Sequence, residues 1–406
     1  MKKTGLTPFS EALRLVLGNV HTVNPVEMPL LSAGGFILRS GIRADRDLPP
    51  FNRSAMDGYA VRFSELVDGV ALFRPVGMLE AGDLWKGKIG EGECLKIMTG
   101  APVPRGLDIV VPVEHSKPFQ NMVELREPGA VEYLNVHRMG VDARKGNVVV
   151  EKGSGLNPRN IAVAASVGAA TVCVSRPIRI AVISTGRELT PVSAFPSPSQ
   201  IRDSNSPFLM ARLKAIPWVK TSFCGIVKDD PRRLKTVLEN ALRNSDMVLL
   251  SGGVSMGDAD HTPAVLKALK VKNIFHKSAI RPGKPLWFGM RKKTAVFGLP
   301  GNPVSVGATF HEFAFPALRK MAGMAGPGVR AVFLPLASPA KKKHPLREFR
   351  VARLEKGGAA VAPVESYRGS GDFVSAALSD GVIVIPEDRR EMPAGEIVEF
   401  HPWDMA

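Results

Sequence analysis

Acids recur just past the ends of apolar runs in this chain. Glu188 follows the run 178–184, Asp229 follows 218–227, and Asp258 and Asp260 follow 247–250. Carboxylates gathered at the carboxyl ends of parallel strands repel one another unless a hard cation joins them, and Mg²⁺ with a bound phosphate is the usual answer. The densest stretch, DMVLLSGGVSMGDAD from Asp246 to Asp260, places Ser251-Gly252-Gly253 directly after its apolar run. Adjacent glycines can adopt positive φ and turn backbone N–H groups toward an anion. The cations Lys277, Arg281 and Lys284 stand nearby in HKSAIRPGK. The competing reading is a tight turn with solvated acids and lysines. Histidines are few and scattered, and neither a Ser-His-Asp arrangement nor H-E-x-x-H occurs, which argues against nucleophilic and zinc-hydrolase chemistry. The residues alone point to a phosphate-handling, Mg²⁺-using enzyme and leave its substrate open.

These residues need elements to hold them. Apolar runs at 178–184, 218–227, 247–250 and near Ile274 read as strands, alternating with capped helices. Asp230-Pro231 reads as a helix start, which makes Asp230 a cap more than a ligand. Ser206-Pro207, Thr262-Pro263 and Asn302-Pro303 read the same way, the last opening a long apolar helix. Together they predict a doubly wound α/β domain of about 150 residues. Ahead of it, 10–20 reads as an amphipathic helix that must dock on something. Between 60 and 113 the pattern is short strands broken by Gly and Pro. Asp57-Gly58 resembles a simple turn signal, and Thr99 tips a Pro-rich loop. After Pro327 short strands return at 331–336, 348–354, 361–364, 381–385 and 396–401, a small β-barrel or sandwich.

At 406 residues, roughly three or four domains are expected. With 54 Lys and Arg against 38 Asp and Glu, the net charge is +16. Nucleic acid or an anionic small substrate could match that charge. The positive residues are scattered, apart from Lys341-Lys342-Lys343, and no nucleic-acid motif appears, so most of the excess reads as solvated surface. Cys94, Cys173 and Cys224 are isolated, as in a reducing compartment. No signal peptide or membrane span is apparent, and a cytoplasmic protein is expected.

Nine stretches carry a closer likeness: PPFNRSAMDGYAV, IMTGAPVP, GVDARKG, ISTGREL, IRDSNSP, KDDP, SGGVSMGDAD, RPGKP and GLPGNPVS. In order and spacing, along essentially the whole chain, they resemble the molybdopterin molybdenumtransferase family of bacterial MoeA and the gephyrin E-domain. The resemblance implies a multidomain α/β plus β protein. An elongated dimerisation domain would comprise 1–49 and 140–176, a β-rich insertion domain 50–139, a molybdopterin-binding α/β domain 177–327, and a C-terminal β-barrel 328–406. It implies insertion of molybdate into the dithiolene of adenylylated molybdopterin, with Mg²⁺-dependent release of AMP, in a homodimer whose sites are shared between subunits.

Carried over by motif, Glu188, Asp229, Asp258 and Asp260 are catalytic, with Glu188, Asp229 and Asp260 as the metal ligands. Asp57, Thr99 and Asp142 would also be catalytic, reaching, as in the dimeric family, the site of the partner subunit. Lys277, Arg281 and Lys284 would bind molybdate or the pterin phosphate. The remaining substrate residues are Asp203, Ser251, Gly252, Gly253, Ser255, Pro300, Gly301, Asn302, Pro303 and Ser305, with Ser370 contributed by the barrel. Arg187 stands where many relatives have an acid, and Arg281 replaces a frequent lysine, exchanging a point charge for a planar fork. The family's barrel arginine could be Arg350 or Arg353. Rivals are the adenylyltransferase of the same pathway, which is a single small domain and also a possible partner, and a gephyrin-like scaffold. Nothing in the sequence distinguishes molybdate from tungstate.

Overall fold

The protein is described by a computed structural model covering residues 5–66, 70–228, 230–253 and 261–403. Asp229, Ser255, Asp258 and Asp260 lie outside the described residues. The chain forms two compact units. As far as they are described, the first comprises 5–40, 152–157 and 171–403, and the second 41–151 and 158–170.

The first unit is built round a six-stranded sheet. Its order is Val219–Val227, Ile178–Thr185, Met247–Ser251, Thr294–Leu299, Trp287–Arg291, Lys272–His276. The first four strands are parallel. Ile178–Thr185 and Met247–Ser251 are buried on both faces, which is why they read as continuous apolar runs instead of alternating ones. The sheet departs from a purely doubly wound pattern at one edge. Thr294–Leu299 and Trp287–Arg291 form an antiparallel hairpin turning at Lys292, at φ 54°, and Lys272–His276 pairs antiparallel beside them.

Helices Pro231–Asn244 and Thr262–Ala268 bury Leu234, Leu238, Leu242, Val265 and Leu266 against Ala181, Ile183, Val248 and Leu250. Asp230 caps the first of them as expected, its Oδ1 accepting from the amides of Arg232 (2.9 Å) and Arg233 (3.2 Å). Two other starts differ from expectation. Thr262 is the first helical residue and His261 precedes it as N-cap. The helix Asn205–Lys214 begins one residue before Ser206, because the Asp203 carboxylate already accepts from the amides of Asn205 and Ser206 (both 3.1 Å).

The N-terminal helix Phe9–Asn19 buries Ala12 and Val16. Phe9 packs edge-on to Phe313 (5.3 Å) and Phe349 (5.2 Å), so its apolar face docks where the α/β domain meets the C-terminal domain. That domain pairs Arg347–Glu355 with Gly381–Ile385, then Ile397–Pro402 and Val332–Pro335, over a core that includes Val361, Ile383, Ile385 and Phe400. A parallel pairing of Ile280–Arg281 with Arg347–Glu348 joins it to the α/β domain. The second unit holds a six-stranded, mainly antiparallel sheet with Gly58–Val61 between Glu93–Ile97 and Ile109–Pro112. Among the described residues, no helix is long and apolar enough to cross a membrane.

Candidate active site

Parallel strands present their carboxyl ends together, so the loops after Thr185, Ser251 and Leu299 converge. The glycine pair is required by that convergence. Gly252 (φ 84°) and Gly253 (φ 62°) are both left-handed. A Cβ on Gly252 would lie 2.3 Å from the Thr185 carbonyl oxygen, and one on Gly253 would lie 2.5 Å from Thr185 Oγ1. The first amide of the pair is not free for an anion, since Gly252 N–H donates to the Leu299 carbonyl (3.2 Å). Ser251 is buried, and its hydroxyl accepts from Asn205 Nδ2 (2.8 Å). The same Nδ2 donates to the Gly301 carbonyl (2.7 Å), so one amide ties the two loops together. The carbonyl, which only accepts, fixes that amide's orientation and leaves Asn205 Oδ1 buried without a partner.

The two described acids of this region differ sharply. Asp203 is 3% exposed and accepts from Ser184 Oγ (2.7 Å), Ser206 Oγ (2.5 Å) and two helix amides. With both oxygens engaged it holds the loop and the helix start in place. Glu188 is exposed, and its carboxylate folds over Gly186, where a Cβ would sit 2.5 Å from Oε1.

Beside these loops, a cavity of 1280 Å³ opens between the α/β and C-terminal domains. Arg281, Lys284, Pro300, Gly301, Asn302 and Ser305 line one wall. The C-terminal domain adds Lys341, Lys342, Lys343, Arg350, Arg368 and Ser370. Seven basic side chains thus face the cavity against two acids, Glu348 and Glu365. Asn302 is at the N-cap position of the helix Pro303–Thr309 but does not cap with its side chain. Its Nδ2 donates instead to Ser370 Oγ (2.8 Å), while the Val304 amide donates to the Ser370 carbonyl (3.2 Å). Pro303 lines a separate, smaller apolar pocket, and Lys277 is half-buried and absent from the cavity wall.

Several lining groups are tuned by burial. Lys342 is held below the usual lysine range by burial, and its Nζ donates to the carbonyls of Leu346, Ile385 and Pro386. Its charge is therefore partly spent on the domain itself. Burial pushes the Tyr367 hydroxyl up to about 12 and holds His344 below the ordinary histidine value. Of the two candidate barrel arginines, Arg350 is on the cavity wall, donating from Nε to Glu348 (2.7 Å), while Arg353 pairs with Glu355 at the surface.

In the second unit, Asp57 and Thr99 come together. Asp57 Oδ1 accepts from the Thr99 hydroxyl (2.6 Å) and amide (2.7 Å), and both bonds hold its carboxyl below the usual range. Asp57-Gly58 is not a turn. Gly58 starts a strand, and a Cβ there would lie 2.0 Å from the Val111 carbonyl oxygen. Asp142 is exposed on a turn fixed by its amide to the Leu48 carbonyl (2.9 Å).

Comparison with known families settles the assignment. Residues 7–168 match the MoeA N-terminal region (domain I and II), 181–320 a probable molybdopterin binding domain, and 334–403 the MoeA C-terminal region (domain IV). The chain belongs to the MoeA family of molybdopterin molybdenumtransferases. It is 30% identical to the Staphylococcus aureus molybdopterin molybdenumtransferase, over 98% of this chain and 96% of that one. The Synechocystis protein of the same name is 32% identical over 97% and 98%. The molybdopterin biosynthesis MoeA structure from Pyrococcus horikoshii OT3 superposes with a TM-score of 0.84 at 28% identity, covering 98% of this chain and all of that one.

Within this MoeA-family site, sequence reasoning passed over three groups. The Lys341–Lys343 run stands out from the scattered charges but receives no role, yet it lines the cavity. Tyr367 and His344 carry no motif, and only the fold brings them there. Asn205 stands inside the quoted IRDSNSP stretch, the one signal that could have marked it.

Proposed function

We propose that this chain inserts molybdate into the dithiolene of adenylylated molybdopterin, releasing AMP in a Mg²⁺-dependent step. The observation carrying this reading is the basic cavity bordered by Arg281, Lys284, Asn302, Ser305 and Ser370. An excess of cations at the mouth of strand-end loops suits an oxyanion and a polyanionic nucleotide, and favours their capture electrostatically. Arg281 and Lys284 bind the oxyanion, and the Asn302–Ser370 bond holds the two domains at its edge.

Glu188 is an exposed carboxylate at a strand end, and with Asp229 and Asp260 it offers the all-oxygen ligands that Mg²⁺ prefers. Mg²⁺ held by these carboxylates would supply Lewis acidity toward the pyrophosphate. Asp203, its oxygens already engaged, keeps the Ser184 end of the strand and the helix start in register for substrate. In this reading the chain acts as a homodimer, with Asp57, Thr99 and Asp142 serving the site of the partner subunit.

The test is AMP release from adenylylated molybdopterin, with Mg²⁺, with and without molybdate, on wild type and Lys284→Ala. Molybdate-stimulated release that collapses in the variant supports the proposal. Tight substrate binding without release by the wild type would refute it.

A further inference from the structure

The helix that begins at Pro303 runs through a π-turn, Phe310–Ala314, before resuming as Phe315–Met321. Such turns widen a helix locally and often mark functional positions. Here the turn presents His311 and Glu312 to His401, on the last strand of the C-terminal domain. All three are buried, at 3%, 1% and 5% exposure.

Counting protons shows why the cluster is unusual. His311 Nδ1 lies 2.8 Å from Glu312 Oε1, and His401 Nδ1 lies 3.0 and 3.1 Å from Oε1 and Oε2. The far ring nitrogens also have partners. His311 Nε2 is 3.1 Å from the Pro402 carbonyl, and His401 Nε2 is 2.8 Å from Glu399 Oε1. A carbonyl only accepts, and so does a carboxylate, so both Nε2 atoms carry hydrogen. In neutral rings both Nδ1 lone pairs then face the lone pairs of one carboxylate, in a dry pocket edged by Trp403 and Phe349. Either a proton or a metal ion must sit between them. Protons on the rings can fill the gap too, because His401 faces two carboxylates, Glu312 and Glu399, whereas one divalent cation would serve both Nδ1 atoms with the rings neutral.

The outer bonds point the same way, because metal-bound imidazoles characteristically donate their other N–H to a carboxylate or a backbone carbonyl. We propose that His311, Glu312 and His401 form a structural zinc site, separate from the substrate cavity, which pins the π-turn to the final strand. Two imidazoles and a carboxylate suit Zn²⁺ and are wrong for Mg²⁺, which takes oxygen ligands. Glu312 can give both oxygens, completing four ligands. The ligand atoms lie within 4.8 Å of one another, so bonds of about 2.0–2.2 Å need the farthest pair to close and the 2.8 Å His311–Glu312 pair to open slightly.

The test uses the full-length protein, stripped with chelator, incubated with zinc, gel-filtered and assayed for metal. Stoichiometric zinc is expected in wild type and in the surface control His21→Gln, with loss in His401→Gln. Cobalt loading of the wild type needs no variant to fold, and it should give the intense visible absorption of a four-coordinate site, bleached by added zinc. Equal zinc retention in folded His401→Gln would mean adventitious surface binding and overturn the proposal. So would wild-type protein that retains no zinc and shows no such cobalt band.

Discussion

The α/β domain meets the C-terminal domain in two places that handle charge in opposite ways. At the cavity, basic side chains outnumber acids and several reach solvent, Arg281 and Lys284 among them. At the His311–Glu312–His401 cluster, the polar side-chain atoms face only one another, Glu399 and a backbone carbonyl, and the three residues are almost wholly buried. Unbalanced charge costs little where water can reach it and leaves attraction to spare for a ligand. Balanced charge in a dry seam has none to spare, so it fixes how the two domains pack. One contact between two domains thus supplies both a binding surface and a clasp.

The largest effect should come from breaking the clasp. Glu312→Ala removes the one anion that both histidine rings face, leaving buried donors or charge without a partner. A loss of about 3–5 kcal/mol is expected, read as a lower Tm in calorimetry. A Tm within a degree of wild type would show that the seam tolerates unbalanced charge after all, and the contrast would fail.

Lys284→Ala tests the other side. Its side chain is exposed at the cavity, so folding should hardly notice its loss. AMP release should fall about 10²-fold, the usual scale for removing one preorganised oxyanion contact. A drop in Tm matching that of Glu312→Ala, with activity preserved, would reverse the roles of the two regions.

The two regions also differ in how legible they were. Strands buried on both faces announce themselves as apolar runs, and Asp230-Pro231 marks its helix because capping is local chemistry. The glycine loop was found for the same reason, since Gly252 and Gly253 need positive φ whatever surrounds them. What they serve was less visible. The amide of Gly252 goes to Leu299, a partner that only the sheet brings near. Lys341–Lys343 shows how a charge run hides its role, because sequence records the charges and not what they face. His311 and His401 are farther from local reading still. They are far apart in the chain, and only a π-turn and a closing strand make them neighbours.

A paired acid at the opposite ends of the strands offers a control for both regions. Asp246 precedes Met247 and accepts from Arg176 (2.8 and 2.7 Å) and from the Arg179 amide (2.9 Å). Burial pushes its carboxyl up, but the Arg176 bonds and the Arg179 amide outweigh that and hold it below the ordinary value. A lowered folded-state value means stability present above the unfolded value of about 3.9 and lost as pH falls through the folded one. Asp246→Asn should therefore cost about 1.5–3 kcal/mol near pH 7. Denaturant titrations should show the gap from wild type closing below about pH 4, with AMP release unaffected at neutral pH. A gap that persists at pH 3 would mean that shape, not charge, makes this contact.

The smallest effect separates two arginines on one strand. Arg350 faces the cavity, and Arg353 pairs with Glu355 outside it. Arg350 adds to the field that draws an anion in, without the direct contact assigned to Lys284. Charges of that kind act mainly on association and are screened by salt. Arg350→Ala should raise the apparent KM about tenfold at low ionic strength, worth about 1.4 kcal/mol, and the difference should shrink as salt is added. Arg353→Ala should leave KM unchanged at every ionic strength. Equal responses from the two variants would mean that net charge matters and its placement does not, and the cavity would then be no more specific for anions than the rest of this basic surface.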